Sequence, residues 1–324
     1  MRRRVIHELS IALLSGVATA ALAESASAPS PGSLPQVTLE AQREALAEQA
    51  RQFVGKVSSS SWATAVDRPL ELWRRPVCLA VAGLRPEGEF IFRRFTQTLT
   101  EAGVTVGKNG CAPNLIVVVT TEPEAFLSAW RKRDKRLFGS ANPELVSQFF
   151  TRPLPVRVWY NTGFAGEDAS GGAPSSPLSS AAAAGGGPGG ATSSTQTQLM
   201  LLDIPTFQEQ SGGTRLSLTA VPDLSSVIAV VDLKRCEGIG WGALTDYIAM
   251  ASLSNVDLST NFGDMPSVLA LFSAPGNPRL TGLTNWDRAY LKALYHSRRM
   301  ARLQRVEIRE QMLREMDATV ANAQ

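Results

Sequence analysis

Histidine is almost missing from this chain of 324 residues, which carries only His7 and His296. His7 falls in a stretch that reads as a leader, so the mature chain would keep a single imidazole. That excludes zinc sites built on two or three histidines and most Ser-His-Asp arrangements, leaving carboxylates, lysine and tyrosine as acid or base candidates. No Gly-x-x-x-x-Gly-Lys-Ser/Thr loop is present, no Gly-x-Gly-x-x-Gly follows a strand candidate, and there is no Gly-x-Ser-x-Gly elbow. Nucleotide binding and the common serine-hydrolase design therefore lack their usual signatures. An excess of charge is lacking too: the formal net charge is +3, and removing a leader with Arg2, Arg3, Arg4 and Glu8 leaves about +1. A nucleic-acid partner held by bulk charge is not expected. What is present, 44% hydrophobic and 19% charged residues, suffices for one large globular domain or two small ones.

The first 23 residues have the build of a signal peptide: a basic start at Arg2–Arg4, an apolar stretch from Ile11 to Leu22, and a small-x-small end at Ala21-Leu22-Ala23. Cleavage is expected after Ala23. Glu8, Ser10, Ser15 and Thr19 interrupt the stretch, which falls short of the ~20 consecutive apolar residues that span a bilayer. No cysteine follows the cleavage point, so a lipoprotein anchor is not expected, and the mature chain is read as exported, periplasmic or secreted. Three cysteines in an oxidising compartment allow one bridge. Cys78 and Cys111 each border a strand candidate, and the segment between them is long enough for a crossover helix that would make those strands neighbours. Cys236 is then a lone thiol, read as a small buried side chain.

Beyond a Ser/Pro-rich spacer (24–37), Thr38 is placed to cap a helix to about Val57 with Leu39, Leu46, Ala50, Phe53 and Val57 on one stripe. Strands follow at 76–82, 115–120 and 155–161. Between them lie a helix over about 87–102 that Gly103 ends, and a helix opened by Thr121-Glu-Pro-Glu124 as a capping box. From about Gly163 to Gln198 the chain is mostly Ala, Gly, Ser, Thr and Pro, too poor in apolar surface to offset its ordering entropy. It reads as a disordered insertion between two hairpin strands, because 199–204 and 215–220 resume a strand pattern. The strand at 226–233 is apolar on both faces, hence central or covered. Helices are then expected at 240–253, 266–272, 284–295 and 297–319. The fold class is α+β: a mixed N-terminal sheet with crossover helices, then a helical C-terminal part.

The run Leu283-Thr-Asn-Trp-Asp-Arg-Ala-Tyr-Leu-Lys-Ala-Leu-Tyr295 follows an apolar strand, a helix and a loop with Met265. It resembles the closing helix of zincin metallopeptidases of the matrixin and serralysin kind. The wider block from Leu70-Glu-Leu-Trp-Arg-Arg-Pro-Val77 to Tyr295 is similar to a family of bacterial secreted zincin-like domains of unknown function, which implies a zincin-like domain over 38–295. In working zincins the helix after the last strand carries His-Glu-x-x-His, two imidazoles one turn apart with the Glu as base. The corresponding stretch here is Leu244-Thr-Asp-Tyr-Ile248, with Leu244 and Ile248 at the ligand positions and Thr245 at the base position. Aliphatic side chains cannot bind zinc, so the resemblance implies a scaffold without its metal or any other cofactor: a catalytically inactive pseudo-peptidase with a binding or envelope structural role.

An enzyme reading keeps a carboxylate site near 240–253, with Asp246 and Tyr247 as candidate catalytic residues. Asp257, Asp264 and Asp287 are the other acids at hand, and all four acids also suit helix caps and loops. A further reading is an interaction module in the basic C-terminal helix (296–324). There Arg298, Arg302, Arg305 and Arg309 follow an i, i+4, i+7, i+11 course beside an apolar stripe of Ile308, Met312, Met316 and Val320. Such a helix suits a protein partner, an anionic membrane surface, or its own domain.

Overall fold

The structure is a computed structural model that describes residues 34–58, 69–83, 86–133, 138, 143–165, 221–273, 280–298 and 302–321. The leader, nearly all of the spacer, the insertion from 166 onward and the strand candidates at 199–204 and 215–220 lie outside them. The chain divides between Arg43 and Glu44, and the architecture below is that of the unit from Glu44 onward. Strand β1 (Leu79–Ala82), helix α2 (Pro86–Glu101) and strand β2 (Leu115–Thr120) form a crossover unit, preceded by helix α1 (Leu34–Val57). Then come α3 (Pro123–Arg133), α4 (Pro143–Thr151), β3 (Val156–Ala165) and β4 (Val221–Asp232). The remainder is helical: α5 (Trp241–Ser254), a 3₁₀ turn (Val268–Phe272), α6 (Asn285–His296) and α7 (Arg302–Ala321).

The four strands lie in the order β1-β2-β4-β3, with β1, β2 and β4 parallel and β3 antiparallel to β4. The mixed sheet and helical second half agree with the α+β reading. The two central strands are apolar on both sides because both sides are covered. Leu115, Val117 and Val119 of β2 and Val227, Ala229 and Val231 of β4 face a core shared with α1, α2, α5, α6 and α7. Ile116, Val118, Ile228 and Val230 point the other way, against Phe126, Leu127 and Trp130 of α3 and Val146 and Phe149 of α4. Among the described residues no helix is long and apolar enough to cross a membrane.

Several boundaries differ from expectation. Helix α1 opens at Leu34, so Thr38 lies inside it and the spacer ends earlier than 37. Helix α3 opens at Pro123, with the Thr120 hydroxyl accepting from the Glu122 amide at 3.1 Å and the Glu124 carboxylate paired with Arg157. Gly163, Phe164 and Ala165, assigned from composition to the insertion, are strand residues facing Asp223, Pro222 and Val221. β3 and β4, on either side of the undescribed stretch 166–220, pair antiparallel; the flanking strand candidates lie outside the described residues.

Cys78 and Cys111 are bridged, with Cα atoms 6.0 Å apart, and Cys236 is a buried free thiol. The bridge lies against Gly107, where an added Cβ would collide with both sulfurs. Asn114 braces the same corner, accepting from the Cys78 amide at 2.8 Å and donating to the Pro76 carbonyl at 3.0 Å. Closing a loop of 33 residues of separation stabilises by about 3–4 kcal/mol in the chain-entropy picture. Replacing Cys78 and Cys111 together by serine should lower the unfolding free energy by about that amount in urea titration. Non-reduced peptide mapping should find Cys78 linked to Cys111, with Cys236 unlinked.

Candidate functional site

The stretch that the resemblance matches with a metal-binding helix is α5. Its sequence is apolar almost all round, and every residue from Ala243 to Ser254 is buried. A helix of that kind sits inside a core rather than on its surface, and α5 is enclosed by α2, the 3₁₀ turn, α6 and the sheet. Leu244 is 2% exposed and Ile248 fully buried. The Thr245 hydroxyl donates to the Trp241 carbonyl one turn back, at 2.7 Å. Zinc requires nitrogen, thiolate or carboxylate donors, and two packed aliphatics with a hydroxyl already bonded to backbone do not fit it. Among the described residues, no group of three or more His, Cys, Asp or Glu side chains is placed to hold a metal ion.

Asp246 is 2% exposed, and its carboxylate takes a bidentate pair from Arg94 of α2, Nε to Oδ1 and Nη2 to Oδ2, both at 2.7 Å. Its Oδ2 also accepts from the Leu283 amide at 2.7 Å. The close approach needs a glycine next door: a Cβ on Gly282 would lie 2.5 Å from Asp246 Oδ2 and 2.6 Å from Arg94 Nη2. Three donors on one buried carboxylate leave it no proton-transfer partner, so the geometry makes it a tie between α2, α5 and the segment entering α6. Tyr247 points elsewhere, its ring edge-on to Phe272 at 4.9 Å, and burial pushes its phenol well above the ordinary range. These two candidate residues do not converge on a shared site.

The other acids are structural as well. Asp287 is fully buried at the start of α6, where it forms a capping box with Thr284. It accepts from the Ser267 hydroxyl at 2.6 Å and from the amides of Val268 and Thr284 at 2.8 and 2.9 Å. Burial raises its pKa above the usual aspartate value, and these hydrogen bonds act against the rise. Asp257 bonds within its own loop to Ser259, and Asp264 is exposed. His296 ends α6 in an exposed position, with Nδ1 donating to the Lys292 carbonyl at 2.7 Å. Cys236 is 4% exposed, its thiol pushed up to about 12 by burial and directed at the Pro155 carbonyl at 3.7 Å. A thiol so seldom ionised is no nucleophile.

The C-terminal arginines do not form one course. His296 still belongs to α6 and α7 opens at Arg302, so Arg298 lies off the helix, its amide bonded to Glu307 at 3.1 Å. Arg305 donates to the Ser58 carbonyl at 3.4 Å, and Arg309 is half-buried. Ile308 and Met312 are fully buried in the main core, and Lys292 of α6 pairs with Glu315 of α7 at 2.6 Å. Ile308, Met312 and the partly buried Met316 of the apolar stripe are thus engaged by their own domain, while the Val320 side chain lies outside the described ones. Beside it, a cleft of about 240 Å³ opens between α2, α6 and α7 over Ala102, Leu283 and Leu291, with Glu101, Arg288 and Lys292 at its margin.

What sequence reasoning missed is the far end of α5. The carbonyls of its last turn would be orphaned inside the core, and aromatic side chains from three separate segments meet them. Tyr160 of β3 donates to the Ala251 carbonyl at 2.9 Å, the Trp73 indole to Ser252 at 3.1 Å, and Tyr295 of α6 to Leu253 at 2.8 Å. Burial pushes both phenols far above their ordinary range, which keeps them protonated donors. Compared with protein-family models, with curated proteins and with solved structures, the chain matches none.

Replacing Asp246 by alanine should cost about 3 kcal/mol in chemical denaturation, because Arg94 and the Leu283 amide lose their acceptor together. The Arg94 side chain is 33% exposed and recovers part of its hydration, which holds the loss to the low end for a buried pair. A loss within experimental error would show that the pair does not tie the helices.

Proposed function

We propose that the mature chain is an exported zincin-like domain without a metal centre, which works by binding or as a structural component of the cell envelope rather than by peptide hydrolysis. The observation that carries this reading is the burial of Leu244 and Ile248 on α5, where the resemblance implies zinc ligands. Export is supported by the Cys78–Cys111 bridge, which suits an oxidising compartment, and by the signal-peptide pattern over 1–23. The hydrolase alternative has no observation in its favour, since Asp246 and Tyr247 are buried with unrelated partners.

A protein partner suits the C-terminal region better than an anionic membrane. Along α7, Arg302, Arg305, Arg309 and Arg314 are balanced by Glu307, Glu310, Glu315 and Asp317, and over 296–324 only Arg298 and Arg299 are in excess, a net +2 that is little for anionic headgroups. Among the described residues of α7, the large apolar side chains left in view are Leu303 and Val306, at 54% and 37% exposure.

Metal content tests the reading. Mature protein purified without chelators, loaded with zinc or calcium and then dialysed, should retain far less than a stoichiometric amount of either by elemental mass spectrometry. Stoichiometric zinc after dialysis would contradict it and reopen the peptidase reading.

A further inference from the structure

Strand β3 is an edge of the sheet and pairs only with β4. The other edge is partly closed, since before β1 the Val77 amide donates to the Thr105 carbonyl and the Gly107 amide to the Val77 carbonyl, both at 2.8 Å. At the start of β3 the Asp232 amide donates to the Pro155 carbonyl at 2.9 Å, so Pro155 turns its main chain toward β4. Alternation along the antiparallel ladder then turns Arg157 and Trp159 toward β4 as well, and sends the main-chain N–H and C=O groups of Val156, Val158 and Tyr160 outward. The opposite strand agrees: Val227, the partner of Tyr160, directs its amide away from β3, to the Asn114 carbonyl at 2.9 Å. Among the described residues, none bonds to the outward groups of β3.

A row of main-chain groups without partners is a template for another strand, and native structures seldom leave such groups unmet where water is kept away. Here it is kept away, for Val156 is 1% and Tyr160 6% exposed. Leu145 and Phe149 of α4 stand on one side of the edge and Val256 and Leu258 on the other, around a cavity of about 70 Å³. The edge is therefore recessed between apolar walls. Two recessed edges cannot meet, which excludes β3 of a second copy as the occupant. A single extended segment, its side chains alternating onto the two walls, suits such a slot. The surrounding charge favours acidic residues in that segment. Arg131 is held over the Phe150 ring at 5.5 Å, and Arg152 is 40% exposed and 3.9 Å from Asp257, the acid of the lining, whose Oδ1 already accepts from the Ser259 amide and hydroxyl.

We propose that the β3 edge binds an extended segment of a partner protein by strand addition, a segment that is apolar in its middle and acidic where it meets Arg131 and Arg152. The inference rests on the reading of the chain as a binding protein but not on the absence of a metal, so its failure and the retention of stoichiometric zinc are separate results. The test uses the full mature chain labelled with ¹⁵N and the synthetic peptide acetyl-Asp-Val-Thr-Val-Asp-amide, which carries an aspartate at each end to serve either strand direction. The readout is the amide resonances of Val156, Val158 and Tyr160. The expected result is a saturable shift with a dissociation constant of about 1 mM or tighter. Methylating alternate peptide nitrogens should weaken binding about tenfold or more by removing strand donors, and replacing both aspartates by lysine about threefold or more. Val158→Pro, which removes the central outward N–H and leaves the ladder to β4 in place, should weaken binding about tenfold as read at Val156 and Tyr160. Should that variant fail to fold, the methylated peptide makes the same test on the unaltered chain. No saturable shift at these amides overturns the proposal, as does equal affinity for the methylated or the lysine peptide. Shifts that grow with protein concentration in the absence of peptide overturn it in favour of self-association.

Discussion

A helix whose last turn is enclosed in the core cannot leave the peptide carbonyls of that end to water, and that constraint on α5 organises the molecule. The last carbonyls of α5 must find donors inside the core, and an unmet one would cost about 1–3 kcal/mol. Trp73, Tyr160 and Tyr295 supply the donors from a segment before β1, from β3 and from α6. Nearer its start, Asp246 binds Arg94 of α2 and the Leu283 amide. Each bond fixes a different part of the chain to the same helix, so the sheet edge, the crossover helix and the C-terminal helices all take their positions from it.

The same enclosure fixes what the side chains of α5 can do. A zinc-binding helix must turn one face to a cleft that water and substrate reach. Leu244 and Ile248 pack between α5 and its neighbours and carry no donor atoms. The polar residues that remain on α5 hold the scaffold together: Asp246 ties helices, and Thr245 bonds to its own helix.

Features set by neighbouring residues were legible in the sequence. The two-sided apolar run of β4 announced a covered strand, and Thr284 with Asp287 announced the start of α6. Cys78 and Cys111 could be paired because each borders one of two adjacent strands. Features set by distant residues were not. Arg94 and Asp246 are 152 positions apart, and the donors to the end of α5 come from positions 42, 91 and 179 away. No local pattern encodes them. Thr121 and Glu124 have the spacing of a capping box, but Arg157 offers Glu124 a charged partner that a short-range rule does not contain. The regular spacing of arginines from 298 onward likewise suggested one helix, whereas α6 runs through His296 and α7 begins only at Arg302.

Amide hydrogen exchange along α5 tests most directly that this helix is the enclosed strut on which the fold depends. Amides from Leu244 to Leu253 should belong to the slowest class in the protein and exchange only with global unfolding. They should lose that protection first in the Tyr295→Phe and Asp246→Ala variants. Exchange of these amides by local opening, well before global unfolding, would contradict the account, since a helix that opens to water on its own is not what holds the surrounding elements in place.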